Sequence, residues 1–257
     1  MNISEKFPVI LQARMTSTRL PGKVMSLING RPMIHWQIER ILRAKSVSHV
    51  VVATSIDSSD DELVSFLNSI QVNVSRGSLD DVYSRFETVL AIDNPSAFMR
   101  LTGDCPLVMP AIIDEMATVF RSQEFDYFSN TLEVSFPDGL DVEIVRSQAF
   151  RQLGTYILST QEREHVTLGL YSRPKDFLLG NFKYKSDLSF ERWTVDHPED
   201  LTFVKAVFRE FQGVESSFTM DDILRFLKDN PEKRNKLAGA LRNEALTNIE
   251  GAPKYVE

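Results

Sequence analysis

Short apolar runs alternate with longer stretches of helical spacing through the first 120 residues. Residues 7–11, Phe-Pro-Val-Ile-Leu, form a bounded β-prone run that predicts a buried strand. Ile34, Ile38, Ile41 and Leu42 then fall on one face and predict a helix over 32–43. The β-branched run 50–54 predicts a second strand, and the polar cluster 55–60 a turn and helix N-cap. A short helix over 61–67 and a brief strand over 72–74 follow. The spacing predicts a helix over 80–92, with Val82, Phe86, Val89 and Leu90 inward. Residues 97–101 read as a strand, and 110–120 as a helix that opens on a proline. This rhythm argues for an α/β fold whose sheet is mostly parallel and covered on both faces.

The second half breaks the rhythm. Residues 125–129 and 140–145 read as strands without a helix between them, separated by the turn signal Pro137-Asp138-Gly139. Residues 177–184 and 191–195 read as further strands, so antiparallel additions to the sheet are expected. Helices are expected over 198–211, over 219–227 behind a capping pattern, and over 230–243, with the last dozen residues frayed.

In a parallel sheet, ligands bind beyond the carboxyl ends of the strands. Those ends here are the polar loops 14–23, 54–57, 75–78 and 102–106, which outline one cleft. The first loop carries Arg14, Arg19 and Lys23 at intervals of five and four, between a strand and a helix. Loop N–H groups and fixed cations in that setting suit a polyphosphate, or else form a solvated basic loop. It has neither Walker A nor G-x-G-x-x-G glycine spacing. Asp104, in Thr102-Gly103-Asp104-Cys105-Pro106, ends a predicted strand, where a carboxylate can face Mg²⁺ or serve only the turn. Asp196 precedes Pro198 and, taken by itself, reads as a helix N-cap. Arg100 lies on the strand leading to Asp104; because an unpaired buried arginine is unfavourable, it is expected to face the cleft.

The chain has 257 residues and a net charge of −7, which excludes the electrostatic footprint of a general nucleic-acid binder. A phosphate site must then be a local basic pocket. The single cysteine, Cys105, excludes an internal disulfide or a cysteine-based zinc cluster. No run approaches the roughly 20 apolar residues of a membrane span, and the N-terminal apolar run is too short for a signal peptide, so a soluble cytoplasmic protein is expected.

Gln12-Ala13-Arg14-Met15-Thr16-Ser17-Thr18-Arg19-Leu20-Pro21-Gly22-Lys23 resembles the opening motif of the acid-sugar cytidylyltransferases, which make the CMP-activated forms of KDO and sialic acids. Its wording is most similar to the branch labelled spore-coat polysaccharide biosynthesis protein F. The resemblance implies a Rossmann-like nucleotidyltransferase sheet, GT-A-like in rhythm, in one domain over 1–257. It also implies transfer of CMP from CTP to an acidic sugar with release of pyrophosphate. By the same resemblance Arg14, Lys23, Asp104 and Asp196 are catalytic, and Asp104 and Asp196 bind Mg²⁺. Leu11, Ala13, Arg14, Arg19, Lys23, Arg76, Ser78, Arg100 and Asp104 are expected at the nucleotide. Asp141 and Glu143, on one face of a predicted strand, and Glu164 and His165 are expected at the acceptor. Residues 125–190 would form the acceptor and dimer subregion. Its aromatics Phe125, Tyr127, Phe128, Phe136, Phe150, Tyr156, Phe177 and Phe182 suggest a partly buried homodimer interface. The rival readings are a GT-A glycosyltransferase, whose D-x-D is not convincingly present, and a non-catalytic sugar-nucleotide-binding regulator. Retention of both aspartates and all three loop cations speaks against the regulator.

Overall fold

The computed structural model describes residues 5–239. In chain order the elements are β1 (Phe7–Gln12), the small hairpin β2 (Leu27–Ile28) and β3 (Arg31–Pro32), α1 (Met33–Ile41), β4 (Val47–Ser55) and α2 (Asp61–Ser69). Next come β5 (Asn73–Gly77), α3 (Val82–Asp93), β6 (Ala97–Thr102), α4 (Pro110–Ser122), β7 (Tyr127–Ser129) and β8 (Glu143–Arg146). The remainder is α5 (Ser147–Leu153), α6 (Thr160–Glu164), α7 (Leu168–Tyr171), β9 (Leu179–Asn181), α8 (Pro198–Glu210) and α9 (Met220–Asp229).

Seven strands form one sheet in the order β5-β4-β1-β6-β8-β7-β9. The first four run parallel. Antiparallel pairing enters through β8, which runs against both β6 and β7, while β9 pairs parallel to β7. The sheet is buried on both faces, as its continuous apolar runs require. Within β1, Val9 and Leu11 face the layer of α1, α4 and α8, whereas Ile10 faces the layer of α3, α5 and α7. Most of the aromatics expected at an interface are core instead: Tyr127, Phe128, Phe136, Phe150 and Phe177 are all buried within this chain, so that load does not mark a contact surface.

Three expectations are corrected. Residues 191–195 form no strand; one bridge, Asp138 to Arg192, is the pairing they make. The backbone there bonds to turns instead: the Trp193 N–H donates to Asp138 O and the Val195 N–H to Asp104 O, and neither Asp138 nor Asp104 belongs to a strand. Asp141 lies before β8 rather than within it, so it shares no strand face with Glu143. The helix expected over 230–243 is a single 3-10 turn, Pro231–Lys233, within the described residues; Pro231 opens it, and Arg234 ends it by leaving the helical region at ψ 145°. Residues 240–243 and the tail expected to fray lie outside the described residues. The capping pattern at 219 is real: Thr219 and Asp222 cap α9 reciprocally.

Candidate active site

The loop after β1 is shaped by two contacts to its own start. The Gly22 N–H donates to Met15 O at 2.8 Å, and Gly22 takes a left-handed φ of 70° that suits glycine. The Met15 N–H donates to Asp60 Oδ1 at 2.7 Å. Asp60 is fully buried, and its other oxygen accepts from the Thr54 and Ser55 hydroxyls and the Ser55 N–H. Burial alone would raise the Asp60 pKa; these hydrogen bonds bring it below the ordinary value. A buried, ionised carboxylate in the turn between β4 and α2 thus ties down the loop after β1.

On the other side of β1, β6 ends at Thr102 and turns through Gly103. A Cβ on Gly103 would stand 2.8 Å from the Ala13 Cβ and 3.2 Å from Gln12 O. Glycine here lets the Asp104 turn lie directly against the first loop. Together the two loops bound a cleft of about 500 Å³, lined by Gln12–Arg14, Ser17–Arg19, Lys23, Val24, Thr102–Asp104, Glu164 and Asp196.

Lys23 is the centre of the site. Its Nζ donates to Val195 O at 2.7 Å and to Asp196 Oδ1 at 2.9 Å, and lies 3.4 Å from Asp104 Oδ2. Arg19 Nη2 reaches the same Asp196 oxygen at 2.9 Å. Asp104 and Asp196, 92 positions apart in sequence, therefore share one ammonium, and their oxygens lie within roughly 6 Å of each other, near enough for one hydrated Mg²⁺ or a close metal pair. Burial would raise the Asp104 pKa, but the Lys23 ammonium and hydrogen bonds from Thr102 and Cys105 bring it down to about 2. Burial would lower the Lys23 pKa, and the two carboxylates raise it instead. At neutral pH Asp104 and Lys23 are therefore both charged.

Arg192, which the sequence did not single out, and Asp200, in the first turn of α8, complete this end. Arg192 is buried and holds Asp196 Oδ2 at 3.2 Å, together with Asp138 and Asp200. Asp200 accepts the N–H groups of Asp196 and His197 at 2.9 Å each. The carboxylate serving the start of α8 is therefore Asp200, and Asp196 is not its N-cap. The Asp200–Arg192 pair at spacing eight was the available signal, but no local pattern singles it out.

The other expected residues divide. Arg14 and Ala13 line the cleft. Leu11 is wholly buried in the core. Arg76 donates to Ser55 O and Asp57 O and pairs with Asp61, outside the cleft lining. The Ser78 hydroxyl accepts from the Asp81 N–H, likewise outside it. Arg100 is paired rather than free: it bonds Glu143 and donates to Gln12 Oε1 at 3.1 Å, which removes the reason for turning it into the cleft, and it does not line it. Glu143 also accepts from the Tyr127 hydroxyl at 3.1 Å. Glu164 lines the cleft at the end of α6. The neighbouring His165 has a lowered pKa, through burial and the charges of Arg100 and Arg14, partly opposed by Glu164. Asp141 is half-buried behind Cys105, whose thiol burial and nearby carboxylates push up.

As a donor set for Mg²⁺ the pair fits. Among the described residues no cluster of three or more His, Cys, Asp or Glu side chains could hold a metal by itself. Mg²⁺ is commonly held by one or two carboxylates, with water and substrate phosphates completing its shell. The carboxylates of Asp104, Asp138, Asp196 and Asp200 outnumber the cations Arg19, Lys23 and Arg192 within this network, which favours a further cation.

Known proteins resemble the chain over most of its length. The cytidylyltransferase family model matches residues 8–212. Spore coat polysaccharide biosynthesis protein SpsF of Bacillus subtilis is 31% identical over 232 residues, 87% of this chain and 94% of that protein. A 3-deoxy-manno-octulosonate cytidylyltransferase of Pseudomonas fluorescens is 34% identical over 116 residues, 45% of each chain. A cytidylyltransferase structure from Leptospira borgpetersenii superposes with a TM-score of 0.85 at 29% identity, covering 90% of this chain and 98% of that one.

Proposed function

The chain belongs to the cytidylyltransferase family, and from that premise we propose that it transfers CMP from CTP to an acidic sugar of the nonulosonic type. An acceptor hydroxyl oxygen bonds to the α-phosphorus, the bond from that phosphorus to the β-phosphate bridging oxygen breaks, and pyrophosphate leaves; the acceptor proton passes to solvent. The observation that carries this reading is Lys23, at the end of the basic loop, joined to both Asp104 and Asp196.

Little covalent work falls to the protein, so orientation and charge neutralisation are its contribution. Arg14, Arg19 and Lys23 line the cleft and would balance the triphosphate and the departing pyrophosphate. Asp104 and Asp196 would hold Mg²⁺, which when bound supplies Lewis-acid charge neutralisation at the phosphate and a lowered acceptor pKa. Glu164 lines the cleft with His165 beside it, and both would face the acceptor. The names of the relatives, a polysaccharide biosynthesis protein and an octulosonate cytidylyltransferase, support an acidic sugar acceptor for a surface glycan.

The test is a pyrophosphate-release assay with each of CTP, UTP, GTP and ATP against a panel of nonulosonic and other sugar acids. Release that needs both CTP and an acid is the expected result. Release independent of the acid, or equal from all four nucleotides, overturns the proposal. Free nucleotide from a nucleotide-sugar would point to the glycosyltransferase instead.

A further inference from the structure

Asp196 stands on a segment outside the sheet, so no ladder of hydrogen bonds sets its direction. Its backbone is held from two sides: the Val195 N–H donates to Asp104 O at 2.8 Å, and the Asp196 N–H donates to Asp200. That leaves the carboxylate to be fixed by its own contacts. Oδ1 meets Lys23 and Arg19, both of which line the cleft. Oδ2 meets Arg192, which is 4% exposed and does not line it.

Arg192 is itself held on three sides. Its Nε donates to Asp200 Oδ1 at 3.0 Å and its Nη2 to Asp200 Oδ2 at 3.2 Å, while Nη1 donates to Asp138 Oδ2 at 3.1 Å. Asn235 Nδ2 donates to Asp200 Oδ1 at 2.8 Å and to Arg192 O at 2.9 Å. The guanidinium is rigid and planar, and its donors point in fixed directions. Fastened to Asp138 and Asp200, it has one N–H left on each Nη, and the one on Nη2 donates to Asp196 Oδ2 at 3.2 Å.

We infer that Arg192 is a positioning residue: it draws back Asp196 Oδ2 so that Oδ1 faces the cleft beside Lys23. This rests on the reading of Asp104 and Asp196 as the cation and phosphate end of a CTP site. Arg192 never touches substrate, and its contribution passes through Asp196. A lysine keeps the charge but cannot serve three carboxylates in one plane. Arg192→Lys therefore separates orientation from charge. Arg40→Lys is the control, because Arg40 is equally buried and donates to Val108 O, Glu215 O and Phe218 O, away from the cleft.

Partners that orient a ligating side chain typically contribute about 10–100-fold to activity or metal affinity. Arg192→Lys is expected to lower kcat by that factor while KM for CTP stays within about threefold. Mn²⁺, titrated without acceptor and followed by water-proton relaxation, should bind about tenfold more weakly to Arg192→Lys than to wild type. Arg40→Lys should keep kcat and Mn²⁺ affinity despite a lower Tm. Unchanged kcat and Mn²⁺ affinity in Arg192→Lys overturns the inference, as does an equal loss in Arg40→Lys. Should Arg192→Lys not fold, Asp138→Asn, which removes one anchor of the guanidinium, is expected to give the same pattern at smaller size; wild-type values there overturn it. Wild-type protein that releases no pyrophosphate from CTP defeats the functional reading instead, and the Mn²⁺ titration then decides the role of Arg192 separately.

Discussion

At the scale of single residues, the site is a set of charges that hold one another ionised. Asp104 is the most perturbed carboxylate of the cleft, brought to about 2 against burial by Lys23, Thr102 and Cys105. A folded-state pKa below the unfolded value of 3.8 means that its stabilisation is fully present above about pH 4. The same stabilisation is lost as pH falls toward 2. Urea denaturation at pH 6, 4 and 3 should show stability falling over that interval, and Asp104→Asn should flatten the fall. Lys23 behaves oppositely: its raised pKa keeps its contribution intact below 10.5 and removes it only above the folded value. Asp104→Asn and Asp196→Asn should each cut turnover by orders of magnitude. Binding of CTP should survive through Arg14, Arg19 and Lys23. Steady-state kinetics with calorimetric CTP titration checks both, and near-wild-type turnover in either variant would remove its catalytic role.

At the scale of elements, the cleft depends on a close backbone approach at Gly139 and a side-chain anchor at Asp60. A Cβ on Gly139 would stand 2.5 Å from Thr194 N and 2.7 Å from Trp193 C, and its φ is 102°. Gly139→Ala must push away the segment that carries Arg192 and Asp196. Gly30 also has a positive φ, of 78°, with nothing within 4 Å of the added carbon. Left-handed backbone costs about 1–2 kcal/mol for an L residue, so Gly30→Ala should lose about that much, a few degrees in Tm. Gly139→Ala should lose clearly more and also lose turnover. Calorimetry and the pyrophosphate assay on the pair test this, and equal Tm losses would show that the contact with Thr194 is not what matters. Asp60 sets the other loop: Asp60→Asn forfeits acceptors for the Ser55 and Thr54 donors and should cost about 1–3 kcal/mol in chemical denaturation. CTP affinity should fall with it, because the one amide oxygen cannot serve both the Met15 N–H and the Ser55 and Thr54 donors.

At the scale of the whole molecule, the doubly covered sheet is a rigid frame that brings the ends of β1, β4 and β6 to one rim. No helix among the described residues is long and apolar enough to cross a membrane. Because the cleft is preformed by buried anchors, ligand should stabilise the fold by simple linkage. CTP at about 100 times its Kd adds about 2.7 kcal/mol, or roughly 5–10 °C in Tm for a domain of this size. Thermal shift with UTP, GTP and ATP should give smaller rises; equal rises from all four would leave a triphosphate site without cytidine preference.

The run 7–11, the alternation through residue 120 and the loop 12–23 were legible because they are local. Burial on both faces writes a continuous apolar run, helical packing writes a 3.6-residue period, and an anion site writes clustered cations beside a strand. Those patterns alone determined the α/β class, the first loop as a candidate phosphate site and Asp104 as a candidate ligand. Tertiary structure decided what depends on contacts distant in sequence. Residues 191–195 look like a strand because Trp193 and Val195 are buried, but burial does not say what their backbone bonds to. Arg100 has a partner in Glu143 only because β8 inserts beside β6 in that register. The meeting of Lys23 with Asp196, and of Arg192 with Asp138, joins residues 173 and 54 positions apart. Charge complementarity of that kind leaves no period or spacing in the chain; it exists only once the sheet has brought the loop ends together.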